Sequence, residues 1–370
     1  MNSIVPAPIA TLPWRVIFIL LALVTIGTTV LYSAAGGDFQ PWAAKHMIRF
    51  LVLAAITIVM SRMPLDFWKS ITFPLYGVLI LMLIAVEIVG FAGGGSQRWI
   101  NLGFISIQPS EIMKPAIVLA AAWFFDKLPP GKINTFDAIW PIGALLIVPS
   151  ILVIIQPDFD AALAYIFCVV VVAFLAGLPV IYFWAGGAAI ALLAPIVFFF
   201  GLRPYQQDRV LIFINPEKDP LGAGYHITQS KIAIGSGGVF GKGFGNGTQS
   251  HLDYLPEGHT DFIFATMAEE WGLMGGLVIL FLYYLLMRWG LTVAVESRTR
   301  YGQLVAAGLT CTIFFYMMIN LLMVVGFAPV AGLPLPFVSH GGSSMLTMMI
   351  CVGIIMSIER HPGLRRGQLS

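Results

Sequence analysis

Charge is what this 370-residue chain lacks most. Only 10% of its residues are Asp, Glu, Lys or Arg, against about 25% in an ordinary soluble domain. A compact chain in water must present a polar outside, and this one cannot supply it. A soluble globular protein and a disordered chain are both excluded. Cysteine is scarce as well. Cys168, Cys311 and Cys351 are odd in number and sit inside apolar runs, so packing is their expected use, not disulfides or metal. The six histidines form no H-E-x-x-H pattern, which removes that zinc signature. A basic field is missing too. A net charge of +2 and a pI near 8.4 leave no electrostatic footprint for nucleic acid.

What is abundant is apolar. Hydrophobic residues make up 58% of the chain and mean hydropathy is +0.89, a composition that demands lipid as solvent. Apolar runs fall at 15–34, 47–61, 71–92, 112–125, 138–155, 161–178, 180–200, 266–287, 303–326 and 338–358. Each is long enough for a helix, which satisfies its own backbone in lipid. The pattern predicts an all-α, polytopic integral membrane protein with about ten transmembrane helices, the short second and fourth extending into flanking polar residues. Ten spans put both termini on one side. That side carries Arg15, Arg62, Lys69, Lys127, Lys132, Arg288, Arg298, Arg300, Arg360, Arg365 and Arg366, whereas the opposite short loops carry Lys45, Arg49, Arg98 and Lys114. The asymmetry predicts cytoplasmic termini. Ser33-Ala34-Ala35 has the small-residue look of a cleavage site, but an uncleaved first span keeps the count even. Loops are short except 201–261, the expected large extracytoplasmic loop between helices seven and eight of a single membrane domain, 1–370. A shorter segment, 93–111, emerges on the same outer side.

Four constellations could carry chemistry there. Asp261 ends the long loop at the start of a helix, either as a cap for free amides or as a partly desolvated carboxylate fit for general-base work, and the two uses are compatible. Glu269 and Glu270 follow two turns deeper, where structural pairing is expected. Glu111 and Lys114 are three apart on one helical face. They make either a salt bridge at a capped helix start or, with Arg98, a site for an anionic group such as a pyrophosphate. In the long loop, Arg203 and Arg209 offer two cations. Residues 225–234 suit a short interfacial helix with Lys231 snorkelling, against a default of solvated surface. Prolines and glycines at 331–343 break helix at membrane depth, which is tolerated where backbone is buried or lines a cavity. Asp158 reads as a turn residue. The glycine-rich run 235–247 fits neither G-x-G-x-x-G nor the Walker spacing, leaving a flexible loop or a nest of backbone amides near a phosphate.

Several motifs together resemble the SEDS family (shape, elongation, division and sporulation proteins). They are QRW at 97–99, QPSEIMK at 108–114, QPD at 156–158, DPLGAGYHITQSKIAIGSG at 219–237, GTQS at 247–250, LPEGHTDFIF at 255–264 and PLPFVSHGGS at 334–343. The long loop is closer to the family's elongation branch than to its division branch. The resemblance implies a peptidoglycan glycosyltransferase that polymerises lipid II on the outer face of the cytoplasmic (inner) membrane during elongation and rod-shape maintenance. It also implies a class B penicillin-binding protein as transpeptidase partner within the elongation machinery. Carried over by residue, Asp261 matches the essential acid, and Arg98, Trp99, Glu111, Lys114 and Arg209 match functional cavity positions. Lys231, Ser339 and Ser343, inside matched motifs, complete the expected substrate-binding set. Two departures stand out: Phe159-Asp160 where Leu-Gly is usual, and His340 where Tyr is usual. No organic cofactor is expected. A divalent cation could share the phosphate load, though no dense carboxylate cluster marks a metal site. The rival classes are a lipid II flippase, which needs a polar path through the bilayer, and a non-catalytic scaffold.

Overall fold

The computed structural model describes residues 12–93, 96–101, 106–129, 131–201, 204–215, 222–252, 254–255 and 257–361. The apolar runs become helices: α1 (Trp14–Ala34), α2 (Ala43–Met60), α3 (Leu65–Val89), α4 (Pro109–Lys127), α5 (Phe136–Ile155), α6 (Phe159–Leu175) and α7 (Val180–Ile196). The long segment that follows is largely helical, with α8 (Pro204–Ile214), α9 (Ala223–Gly237) and the single turn α10 (Thr248–His251). The chain closes with α11 (Ile263–Glu296), α12 (Arg300–Val324) and α13 (Gly342–Arg360). Among the described residues, seven helices are long and apolar enough to cross a membrane, and α6 and α7 are shorter apolar helices.

Helix α4 shows why hydropathy alone undervalues a buried helix. It carries Glu111, Lys114, Asp126 and Lys127, yet it is buried along nearly its whole length, from Pro109 to Asp126. Pro109 suits the first helical turn, whose amides need no intrahelical partner. Small residues let neighbours approach α4 closely. A Cβ on Gly308 of α12 would sit 2.7 Å from Val118 of α4 and 2.8 Å from Val172 of α6, the close contact expected of helices packed in lipid. Helix α7 is the opposite case, with no buried residue among those described and Trp184 and Leu192 about three-quarters exposed. Such a face is stable against acyl chains, not against water.

The fold departs from a purely helical reading in one segment. Strands β1 (Phe91–Gly93), β2 (Ser96–Asn101) and β3 (Ser106–Ile107) form a small antiparallel sheet in the order β1-β2-β3. Phe91 pairs with Trp99 and Ile100 with Ile107. This sheet leads directly into α4.

The glycine-rich run is neither a loose loop nor a nest left for phosphate. Helix α11 breaks at Gly272, which has φ 64° and ψ −161°. The break frees carbonyls before it and amides after it, and lipid cannot satisfy either. The run 238–243 does. The amides of Lys242 and Gly243 donate to the carbonyls of Glu269 and Glu270, at 3.0 Å each. Beyond the break, the amides of Leu273 and Met274 donate to Gly238 and Val239 at 2.9 and 3.1 Å. Glycine is required at 241 because its φ is +79° and a Cβ would lie 2.0 Å from the Glu270 carbonyl oxygen. Glu269 locks the arrangement: its buried carboxylate accepts from Lys242 Nζ at 2.6 Å and from the amides of Thr248 and Gln249 at 2.9 and 3.1 Å. The pairing expected for Glu269 is therefore found, with the one lysine that a phosphate loop would have needed.

Candidate functional site

Polar side chains gather at the end of the bundle where α4, α6 and α11 begin and α12 ends. Asp261 stands in the turn that leads into α11 and is half-buried. The side-chain amide of Asn320 on α12 donates to the Asp261 carbonyl and to the Leu333 carbonyl, both at 2.8 Å. This one amide ties the turn at 257–262 to the broken segment at 331–341. The buried break predicted at 331–343 thus borders the site. Gly332 lies against the carboxylate: a Cβ there would be 3.9 Å from Asp261 Oδ2, so a larger side chain would crowd it. The same glycine's amide donates to Asp160 Oδ2 at 3.3 Å. Two carboxylates from two helix starts therefore border one glycine.

A second network lies beside the first. Asp158, 4% exposed, is more than the turn residue expected from sequence. It caps α6 through Ala161 N, accepts from Ser110 Oγ at 3.0 Å and Gln108 Nε2 at 3.2 Å, and pairs with Arg98 at 3.6 Å. Arg98 also donates to the carbonyls of Gln156 and Pro157. Lys114 is fully buried and bound to Glu111 and to the Tyr316 hydroxyl. Tyr316 donates to Glu111 at 2.9 Å. Lys114 thus makes the salt bridge that its spacing to Glu111 allows. A charge in an apolar interior persists only when paired, and the pairing occupies it. Arg98 is likewise committed to the 156–158 turn. Tyr316 sits one turn before Asn320 on α12, so this helix links the two networks. A tyrosine in an apolar run gives no sequence signal for that role.

A third cluster flanks Asp261 on the other side. His259 stacks on Trp42 with ring centres 4.1 Å apart. The amide of His340 donates to the His259 carbonyl at 3.1 Å, and Arg49 Nη1 lies 3.2 Å from His340 Nε2. The guanidinium must donate, so Nε2 accepts and the proton of a neutral imidazole sits on Nδ1. Burial, then the charge of Arg49, hold the His340 imidazole down at about 4. Burial also lowers His259, against an opposing pull from Glu257. Arg49, His259 and Trp42 were not candidates from sequence; Trp42 caps α2 and Arg49 lies two turns into it, and only folding brings them to His259 and His340.

The remaining predicted positions separate. Trp99 is half-buried in β2. Ser339 is buried, and its hydroxyl accepts from the Leu335 amide at 2.8 Å, which closes the turn at 335–339. Ser343 Oγ is buried without a hydrogen-bond partner among the described residues. Lys231 is exposed and lies along Gly326, its Nζ 2.6 Å from where a Cβ would stand. Helix α9 itself is not solvated surface: Ile227, Ser230 and Ala233 are buried and Ser230 donates to Val324 O at 2.7 Å. Arg203 lies outside the described residues, as does the side chain of Arg209.

The family of FtsW, RodA and SpoVE, described as cell cycle proteins, matches residues 13–363. Peptidoglycan glycosyltransferase MrdB of Escherichia coli K12 is 43% identical over 347 residues, which are 93% of this chain and 92% of that protein. Among solved structures, a chain of a peptidoglycan synthase complex superposes with a TM-score of 0.80 at 29% identity, covering 94% of this chain and 98% of the other. The Thermus thermophilus rod shape determining protein RodA superposes with a TM-score of 0.71 at 27% identity, covering 94% and 97%.

Proposed function

The chain belongs to the FtsW/RodA/SpoVE family and is a peptidoglycan glycosyltransferase of a multi-pass membrane type, and from that premise we propose that Asp261 is its general base. The observation that carries the proposal is the placing of this carboxylate: half-buried, at the start of α11, its backbone held by Asn320 and its flank bordered by a glycine. The substrate is lipid II at the outer face of the cytoplasmic membrane, with both termini inside. Asp261 accepts the proton of the acceptor hydroxyl as that oxygen attacks the anomeric carbon of the donor sugar. The bond from that carbon to the lipid pyrophosphate breaks in the same step, inverting an α-linked donor into a β-linked polymer. Positive charge near the leaving group stabilises it. Arg98, Lys114 and Arg209 are the cations proposed for this work; Arg98 and Lys114 are paired with carboxylates in the structure, and Arg49, beside His340, is a further cation at this end of the bundle. The partner is a class B penicillin-binding protein, a reading supported by the synthase complex from which one structural relative comes.

Purified Asp261→Asn protein supplied with lipid II is expected to make no polymer on a gel while binding lipid II within several-fold of the unsubstituted chain. Normal polymerisation by that variant would remove Asp261 as the base. Movement of lipid across the bilayer without polymer would favour the transporter reading instead.

A further inference from the structure

At the end of the bundle opposite Asp261, a polar cavity of about 430 Å³ lies between α3, α4 and the junction of α11 with α12. Lys69, Lys127, Arg298 and Arg300 line it against one carboxylate, Asp126. Lys69 Nζ pairs with Asp126 at 3.3 Å, and Arg300 donates to the Ala176 carbonyl at 2.9 Å. Lys127 and Arg298 are exposed, so the cavity keeps a surplus of positive charge. An apolar groove of about 460 Å³ runs along the same α3 and α4, walled on its far side by α5. Phe73, Gly77 and Leu81 line it from α3, Phe124 from α4, and Pro141 and Leu145 from α5. From Phe73 to Leu81 the groove rises roughly 12 Å at 1.5 Å per residue.

The two features share a wall. Lys127 Nζ lies 5.9 Å from the Trp123 ring centre, and Trp123 meets Phe73 edge-on at 4.8 Å. Phe73 in turn stands one helical turn from Lys69. A phosphate seated among the cations would thus have hydrocarbon space directly beside it, at the depth where a headgroup passes into acyl chain. A free anion would use the cavity and ignore the groove. A neutral or zwitterionic lipid would use the groove and gain little from four cations.

We propose that this pair of features is a binding site for a phospholipid with an anionic headgroup, its phosphate in the basic cavity and one acyl chain in the groove. The site is separate from the polymerising end and does not depend on the role of Asp261. Full-length protein, stripped of lipid in detergent, is titrated with phosphatidylglycerol, phosphatidylcholine and inorganic phosphate. Bound mass by native mass spectrometry and the shift in Tm are the readouts. Phosphatidylglycerol is expected to bind at least tenfold more tightly than phosphatidylcholine. The double variant Lys127→Gln with Arg298→Gln, two exposed positions, is expected to weaken it roughly 30-fold. Gly77→Leu, whose new side chain points into open space, fills the groove and should weaken phosphatidylglycerol while leaving inorganic phosphate unaffected. Equal binding of the two lipids, or an unchanged double variant, overturns the proposal. So does inorganic phosphate binding as tightly as phosphatidylglycerol, which would make this a soluble-anion site.

Discussion

His340 is half-buried beside the Arg49 guanidinium. It faces Arg49, His46, His259 and Lys45, so a proton on it is opposed by burial and by neighbouring charge. Its folded value of about 4 lies below the 6.5 of a free imidazole. Between those values the unfolded chain binds the proton that the folded chain refuses, and stability rises with pH across that window. The contribution is complete above pH 6.5 and is lost as pH falls toward 4. His259, also lowered, acts with the same sign. Thermal unfolding of the detergent-solubilised protein should therefore show Tm falling from pH 6.5 to 4, and His340→Tyr should flatten that slope. An unchanged slope in the variant would show that His340 does not sense the pH. At this scale the sequence was legible for the Glu111–Lys114 pair, whose spacing alone makes them neighbours. It was silent on Arg49 and Tyr316, because nothing local marks which apolar-run residue meets a partner from a distant helix.

Among elements, α11 and the glycine-rich run form one unit. The run reads as a linker because glycine permits many conformations, yet here permissiveness is used to bring backbone against backbone at a helix break. Gly241→Ala is expected to undo this, since its Cβ would meet the Glu270 carbonyl at 2.0 Å in a left-handed conformation. Gly238→Ala, at φ 56° and ψ −145°, meets no atom within 4 Å, so it should carry the backbone strain alone, about 1–3 kcal/mol, and cost less than Gly241→Ala. Limited proteolysis within 238–247 and Tm separate the two: the Gly241 variant should be cut readily and melt lower. Comparable behaviour of both variants would show that close approach is not what holds the run. Most helix positions were legible, since apolar runs bounded by polar residues set them within a few residues; α11 instead continues nine residues past its run, to Glu296. The sheet at 91–107 was not, because its short strands carry no sustained alternation.

For the whole molecule, the distribution of Lys and Arg argues for one orientation, and labelling checks it. In intact spheroplasts a membrane-impermeant maleimide should modify Asn246→Cys and should reach Lys132→Cys only after permeabilisation. Both positions are exposed, while Cys168 and Cys351 are buried. The reverse pattern would invert the topology and put Asp261 on the wrong side of the membrane for its proposed work. Composition by itself determined that the chain lives in lipid, because too few charges exist to cover it in water, and continuous apolar runs placed its helices. Motif resemblance named the acid. Tertiary structure decided the rest: that Arg98 pairs with Asp158 and Lys114 meets Tyr316, that Asp160 and Asp261 border one glycine, and that a basic cavity meets an apolar groove at the far end. Those are contacts between residues tens to hundreds of positions apart, and their energies depend on distance and burial, which no linear pattern encodes.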